Sequence, residues 1–170
     1  MWRPGFDYLE QTTARLVGYH RAACIFSQHH RGTAKTPGLV LGLDSGGYCD
    51  GIAFRVNINK RSEVIDYLHK RELIGYAYKP AIVDIDMQGK CARAYTFVAD
   101  SQHRQYAGDL GLQRAASIIM MAEGVSGLNR DYLINTVHKL ETEGFAEPDL
   151  IALRERVLML TGKIDQGGGI

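Results

Sequence analysis

The feature that most limits what this chain can fold into is a change of hydrophobic period roughly a hundred residues in. Before that point the apolar residues come in short runs and alternations. Ala14 to Phe26 mixes apolar and polar residues as a strand does. Leu39-Val40-Leu41-Gly42-Leu43 is a short apolar run, Asp44-Ser45-Gly46-Gly47 is a strong turn signal, and Cys49 to Val56 follows as a strand, which together predict a hairpin. Ile82-Val83-Asp84-Ile85-Asp86 alternates with period two, Gln88-Gly89 turns the chain, and Ala92 to Val98 returns as a second hairpin. Between the two lies one helix, from about Lys60 to Arg71, with Val64, Tyr67 and Leu68 as its inner stripe and a stop near Gly75.

Beyond that point the spacing becomes helical. Leu112, Ala115, Ala116, Ile119 and Met120 form one stripe; Leu133, Val137 and Leu140 mark a second helix; Leu150, Leu153, Val157 and Leu160 mark a third. Pro148 suits the first turn of the third helix. Gly167-Gly168-Gly169 predicts a frayed end to a tail over 163–170. No internal repeat or linker interrupts the chain. The expectation is an α+β fold, one domain over 1–170, with a β-sheet or barrel carrying one inserted helix and then a helical cluster.

Composition narrows the function classes. Lys and Arg number 20 against 19 Asp and Glu, so the charge balance gives no reason to expect nucleic acid or an anionic membrane as a partner. No apolar run approaches the roughly 20 residues of a membrane span, and no apolar stretch follows Met1-Trp2-Arg3-Pro4 as in a signal peptide. A soluble, cytoplasmic protein is expected. Cys24, Cys49 and Cys91 are odd in number and well separated, so neither a disulfide framework nor a Cys-x-x-Cys site is indicated. The six histidines show no zinc-binding spacing.

Three motifs are decoys. Asp44-Ser45-Gly46-Gly47 is similar to the surroundings of a serine-protease nucleophile, but the 44 residues before Ser45 are too few for that scaffold, and a turn is the better account. His29-His30, read as neighbours on a strand, point to opposite faces and do not share a ligand. Gly108-Asp109-Leu110-Gly111 before a helix lacks the full glycine pattern and the Lys of a phosphate loop.

A set of ordered segments carries a family resemblance. These are Met1-Trp2-Arg3-Pro4-Gly5-Phe6, Leu16-Val17-Gly18-Tyr19-His20-Arg21, Ser27-Gln28-His29-His30-Arg31-Gly32 and Pro37 to Leu43. They continue with Gly51 to Arg55, Arg71-Glu72-Leu73-Ile74-Gly75-Tyr76, Gln105-Tyr106-Ala107-Gly108 and Ser126 to Leu133. Together they resemble the ChaC-like γ-glutamylcyclotransferase family over nearly the whole chain. The resemblance implies a small mixed β-barrel flanked by helices. It also implies a lyase that cleaves γ-glutamyl compounds, chiefly glutathione, into 5-oxoproline and the remaining amine, with no metal or cofactor. The family's catalytic carboxylate maps onto Glu72. Tyr106 matches a family tyrosine expected to donate its hydroxyl to substrate. Ser27, His30 and Arg31 match a segment expected to line the pocket, with Arg31 suited to a substrate carboxylate. Trp2 and Phe6 are expected to pack, and Asn129 and Tyr132 to fix the second helix to the barrel.

The chemistry explains why one carboxylate suffices. A γ-glutamyl group carries its own nucleophile, the α-amine, and closing a five-membered ring is intramolecular, an advantage that reaches about 7–11 kcal/mol in favourable cases. What remains is proton traffic: the α-ammonium must lose a proton before attack and the leaving nitrogen must gain one. A solution carboxylate near 4.3 and an amine near 8 are mismatched by roughly 3.5, or about 5 kcal/mol, and partial burial of Glu72 is expected to narrow that gap. Without the resemblance, Glu72 reads as a solvated residue beside Arg71 and Lys70.

One departure from the family pattern bears on activity. The family places a Tyr-Gly-Ser-Leu substrate loop just before the Trp-x-Pro-Gly-Phe segment, and no Tyr-Gly-Ser-Leu occurs in these 170 residues. The expectation is a chain short of its first strand and substrate loop, through a late-assigned start, a truncation or a real loss, the position of the gap favouring the first. An exposed sheet edge would then invite homodimerisation. The alternative functions are a non-catalytic binding or regulatory module on the same fold, and a cyclotransferase for another γ-glutamyl amine.

Overall fold

The computed structural model describes residues 4–73, 77–145 and 147–167, with side chains described to residue 162. Two long strands dominate it: β1 (Glu10–Ser27) and β2 (Gly38–Arg55), 18 residues each. They pair antiparallel from Glu10↔Arg55 to Ser27↔Gly38. The hairpin loop is therefore the 28–37 segment, and the expected turn at Asp44-Ser45-Gly46-Gly47 is not formed: β2 runs straight through it. Val17 pairs with Tyr48 and Tyr19 with Ser45, so Gly18 stands opposite both Gly46 and Gly47, a β-bulge. The two glycines have φ of 95° and 67°. A bulge and a turn ask for the same left-handed backbone, so local sequence does not separate them. The unbroken partner strand decided between them.

The second hairpin forms as expected. β3 (Tyr78–Met87) and β4 (Lys90–Ala99) are joined by Gln88 and Gly89, with φ of 57° and 85°. Positive φ at both positions of a two-residue loop matches the twist of the flanking strands. The Gly89 N–H donates to Asp86 Oδ1 at 2.7 Å. The sheet order is β2-β1-β3-β4, and β1 meets β3 only at Arg15↔Asp86 and Leu16↔Ile85 among the described residues. The sheet curls until its edges touch: the Tyr78 hydroxyl donates to the Leu41 carbonyl at 2.6 Å, and a Cβ built on Gly42 lies 3.4 Å from that of Ala99. No backbone ladder joins β2 to β4 among the described residues, so the expected barrel is a curled, unclosed sheet.

A short 3-10 turn (Ile58–Lys60) leads into helix α1 (Arg61–Glu72). Val64 and Leu68 are half-buried as expected, but Tyr67 is 37% exposed, and α1 buries no residue fully. The helix meets the sheet instead through His69, whose Nε2 bonds the Tyr95 hydroxyl and whose ring lies 5.9 Å from that of Phe97. The predicted stop at Gly75 lies outside the described residues, as does Trp2.

The remaining helices are α2 (Gly111–Met121), α3 (Asn129–Thr142) and α4 (Pro148–Gly167), with a two-residue ribbon of β5 (Glu123–Gly124) and β6 (Gly127–Leu128) before α3. Ala115, Ala116, Ile119, Leu133, Val137, Leu140, Leu150, Leu153 and Val157 are buried in one cluster, as the spacing predicts, while Leu112 in the first turn of α2 is 43% exposed. Gly167 is the last residue of α4, and Gly168 and Gly169 lie outside the described residues. Among the described residues no helix is long and apolar enough to cross a membrane.

Leu39 of β2 joins this helical cluster and so couples it to the sheet. Its backbone is held by Asn129, the first residue of α3 and fully buried. The Leu39 N–H donates to Asn129 Oδ1 at 2.7 Å, and Asn129 Nδ2 donates to the Leu39 carbonyl at 2.8 Å. The Tyr132 hydroxyl accepts from the Leu41 N–H at 3.2 Å. Both residues thus tie α3 to β2, as expected from their positions. A second tie runs from Arg21 of β1 to Glu147, just before α4, with Arg21 also donating to the Asp50 carbonyl at 2.7 Å.

Two outcomes follow. Asn129→Leu keeps the branched shape but strands two buried backbone groups, at about 1–3 kcal/mol each; with roughly 2–4 °C per kcal/mol for a chain of this size, thermal unfolding shifts down by roughly 4–24 °C. Arg154 of α4 grips Glu141 of α3 with two hydrogen bonds, 2.6 and 3.0 Å, and this holds the Glu141 carboxyl below its usual range. A depressed carboxyl stabilises the fold above its unfolded pKa and loses that contribution as pH falls through the folded one. The Tm difference between the parent chain and Glu141→Gln is therefore largest at neutral pH. It closes as the pH is taken well below about 4.3.

Candidate active site

Glu72 is the last residue of α1, where the Leu73 N–H closes the final turn on the His69 carbonyl at 3.0 Å. The chain re-enters the described structure at Ala77, which is buried and whose carbonyl accepts from the Asp100 N–H at 2.7 Å. The Glu72 carboxylate is not a solvated group beside Arg71: it accepts from Arg71 Nε at 2.8 Å, and the two side chains are 25% and 28% exposed. Arg71 also donates to the Pro4 carbonyl at 2.9 Å and to the Tyr67 hydroxyl at 3.2 Å. One guanidinium thus orients the carboxylate and anchors the Pro4–Phe6 stretch, where Phe6 packs edge-on to Phe54 and Tyr67 as a packing residue should.

Tyr106 lies in the segment after β4 and bridges to Ile25 of β1. It packs against the buried cluster of Cys24, Ile25, Val40 and Ala77, the residue at which the chain returns from Glu72. Its hydroxyl lies 2.9 Å from both carboxylate oxygens of Asp44 on β2. That hydrogen bond, with some burial, pushes the phenol up to about 12. Burial and the same Asp44 charge push the neighbouring Cys24 thiol up to about 12 as well, so it is an inert thiol.

Ser27, His30 and Arg31 come together as one knot. Ser27 is fully buried at the end of β1, and its Oγ accepts from the Arg31 N–H at 3.0 Å. His30 Nδ1 contacts Ser126 Oγ at 3.1 Å. Arg31 Nη1 donates to the Ser126 carbonyl at 2.5 Å, with the Leu128 carbonyl at 3.4 Å, and its guanidinium lies 5.4 Å from the Tyr132 ring centre. The 28–32 segment is further stitched to the β5–β6 ribbon by backbone bonds from Val125 to His29 and from Ser126 to His30, both 2.9 Å. The approach is so close that a Cβ at Gly124 would fall 2.4–2.5 Å from backbone atoms of His29, His30 and Gly32. No hydrogen bond joins this knot to Glu72 or Tyr106 among the described contacts.

Two expectations change here. His29 and His30 sit in a bend after β1, not on a strand, and their rings touch edge-on at 4.9 Å. Ser45 lies on β2 beside the bulge, not in a turn, and its N–H donates to Asp44. Among the described residues no group of His, Cys, Asp and Glu is placed to hold a metal ion. Sequence reasoning passed over Asp44, which it used only as a turn residue, and His69. Asp44 and Tyr106 are 62 positions apart, so no local signal links them.

With this geometry in hand, the chain can be set beside known proteins. A family model described as "ChaC-like protein" matches residues 1–159. The glutathione-specific gamma-glutamylcyclotransferase of Escherichia coli (strain K12) is 34% identical over 151 residues, covering 88% of this chain and 65% of the relative. The human glutathione-specific gamma-glutamylcyclotransferase 1 is 31% identical over 139 residues, covering 79% of this chain and 63% of the relative. The chain thus spans a little under two thirds of the length of these two relatives. In three dimensions it is similar to the crystal structure of a glutathione-specific γ-glutamyl cyclotransferase from yeast, with a TM-score of 0.78 over 90% of this chain and 91% of that one, at 19% identity. That likeness shows the mixed α/β fold, and the family match over almost the full length shows the kinship: the chain belongs to the ChaC-like family.

Proposed function

We propose that the chain is the core of a γ-glutamylcyclotransferase that cleaves glutathione to 5-oxoproline and cysteinylglycine, with Glu72 as general acid and base. The observation that carries the proposal is the setting of Glu72. It is half-buried at the end of α1 and oriented by Arg71, which also anchors Pro4, and the Arg71-Glu72 to Gly75-Tyr76 motif supports matching it to the family's carboxylate. The names of the E. coli and human relatives supply the substrate.

In this reading Glu72 takes a proton from the α-ammonium of the bound substrate. The freed amine attacks the γ-carbonyl carbon, and a five-membered ring closes through a tetrahedral intermediate. The protonated Glu72 then gives its proton to the amide nitrogen, takes the extra proton of the attacking nitrogen, and passes it on as the carbon–nitrogen bond breaks, so that cysteinylglycine leaves as its ammonium form. Proton count and charge balance without a co-reactant. Tyr106 contacts the γ-glutamyl group, and Ser27, His30 and Arg31 shape the neighbouring wall through the 28–32 loop. We place the enzyme in the cytoplasm, where its three free cysteines stay reduced.

The test is release of 5-oxoproline from glutathione by the 170-residue chain and by a version extended ahead of Met1 through a Tyr-Gly-Ser-Leu segment. Glu72→Gln, shown to be folded by circular dichroism, lowers kcat by about 10²–10⁴-fold in whichever form is active. Full turnover by Glu72→Gln sinks the assignment of Glu72. Inactivity of both folded forms on glutathione sinks the substrate assignment, and a panel of other γ-glutamyl amines then decides whether the reaction class survives.

A further inference from the structure

The contact between Tyr106 and Asp44 fixes where a proton points. The phenol has one proton and an ionised carboxylate has none to give, so Tyr106 is the donor, aimed between two oxygens each 2.9 Å away. Such a charge-assisted bond is among the stronger ones a hydroxyl makes. Asp44 is itself held. It pairs with His20 across the β1–β2 ladder, and its Oδ1 accepts from the Ser45 N–H at 2.9 Å where β2 enters the bulge. The phenol's upward shift to about 12 agrees with a proton retained throughout the neutral range.

With its proton committed, Tyr106 offers a ligand only the lone pairs of its oxygen, beside a full negative charge. That polarity disfavours a substrate carboxylate and suits a cationic N–H donor. In a γ-glutamyl compound the cationic donor is the α-ammonium. We propose that Asp44 is a positioning residue that makes Tyr106 an acceptor for the α-ammonium of the substrate, the reverse of the donor role expected from sequence. This rests on the cyclotransferase reading above. An ammonium has three N–H groups. One held by Tyr106 still leaves a proton for Glu72 to remove, and its removal frees the lone pair that attacks the γ-carbonyl.

The experiment measures binding, by calorimetry, in the Glu72→Gln background, where turnover does not interfere. The probes are glutathione and glutaryl-cysteinylglycine, the same tripeptide with hydrogen in place of the α-amine. With Asp44 and Tyr106 intact, glutathione binds at least about tenfold more tightly than the des-amino tripeptide, the scale of one hydrogen bond to a charged group. Asp44→Asn and Tyr106→Phe each reduce that preference to below about threefold and leave the des-amino affinity nearly unchanged, a selective loss that a merely structural role would not produce. The proposal is overturned if the preference survives both substitutions, or if both tripeptides weaken together. A second readout is independent of ligand. In protein carrying ¹³Cζ-tyrosine, the resonance that disappears in Tyr106→Phe titrates at lower pH in Asp44→Asn. If that titration does not move, the Asp44 contact falls. If it moves but neither tripeptide binds the folded protein, the contact stands, and the cyclotransferase reading fails together with the ammonium assignment.

Discussion

The hydrogen bonds between Asn129 and Leu39 are the interaction on which the two halves of this structure depend. A strand that turns its side chain into a helical core must also keep its backbone groups satisfied there. Asn129 does this with one donor and one acceptor from a single fully buried amide. Leu39 can then pack among Ile119, Leu133 and Val157 while still belonging to β2. Tyr132, one turn further along α3, repeats the arrangement at Leu41, whose carbonyl receives Tyr78 from β3. These contacts link β2, β3 and α3 at the place where the curled sheet comes closest to meeting itself.

The candidate site hangs on this frame through different elements, each positioned for its own reason. Glu72 is presented by a helix end and oriented by Arg71. Tyr106 is set by a bridge to β1 and by Asp44 on β2, next to a bulge that relies on two glycines with positive φ. Ser27, His30 and Arg31 serve a loop stitched to the β5–β6 ribbon. In the proposed reading, a half-buried carboxylate, a phenol bonded to Asp44 and a stitched loop are each oriented before substrate arrives, which lowers the reorganisation needed when charge shifts.

Elements held by local chemistry were legible in the chain. The β3–β4 hairpin follows from alternation and Gln88-Gly89, and α2, α3 and α4 follow from apolar spacing. Where the same local chemistry serves two structures, the reading went astray. Asp44-Ser45-Gly46-Gly47 supplies positive φ for a turn or a bulge alike, and His29-His30 continues a strand or begins a bend. Tyr67 shows the limit of periodicity: the spacing places it on the stripe, yet α1 reaches the sheet through His69 and leaves Tyr67 at the surface with Phe6 and Arg71. For the site, Glu72 stood out through its place in a family motif, since its own neighbourhood of Lys70 and Arg71 suggests a solvated charge.

The sequence by itself determined the division into a strand-rich part and a helical part, the faces the three later helices bury, and the family to which the chain belongs. These depend on residues near one another in the chain, or on ordered motifs that survive without coordinates. The tertiary structure alone decided that β2 runs unbroken through its glycines, that Asn129 closes the Leu39 backbone, and that the Tyr106 hydroxyl donates to Asp44. Each of these joins residues tens of positions apart. The energy of such a contact exists only after the intervening chain has been ordered, so no window of sequence contains it.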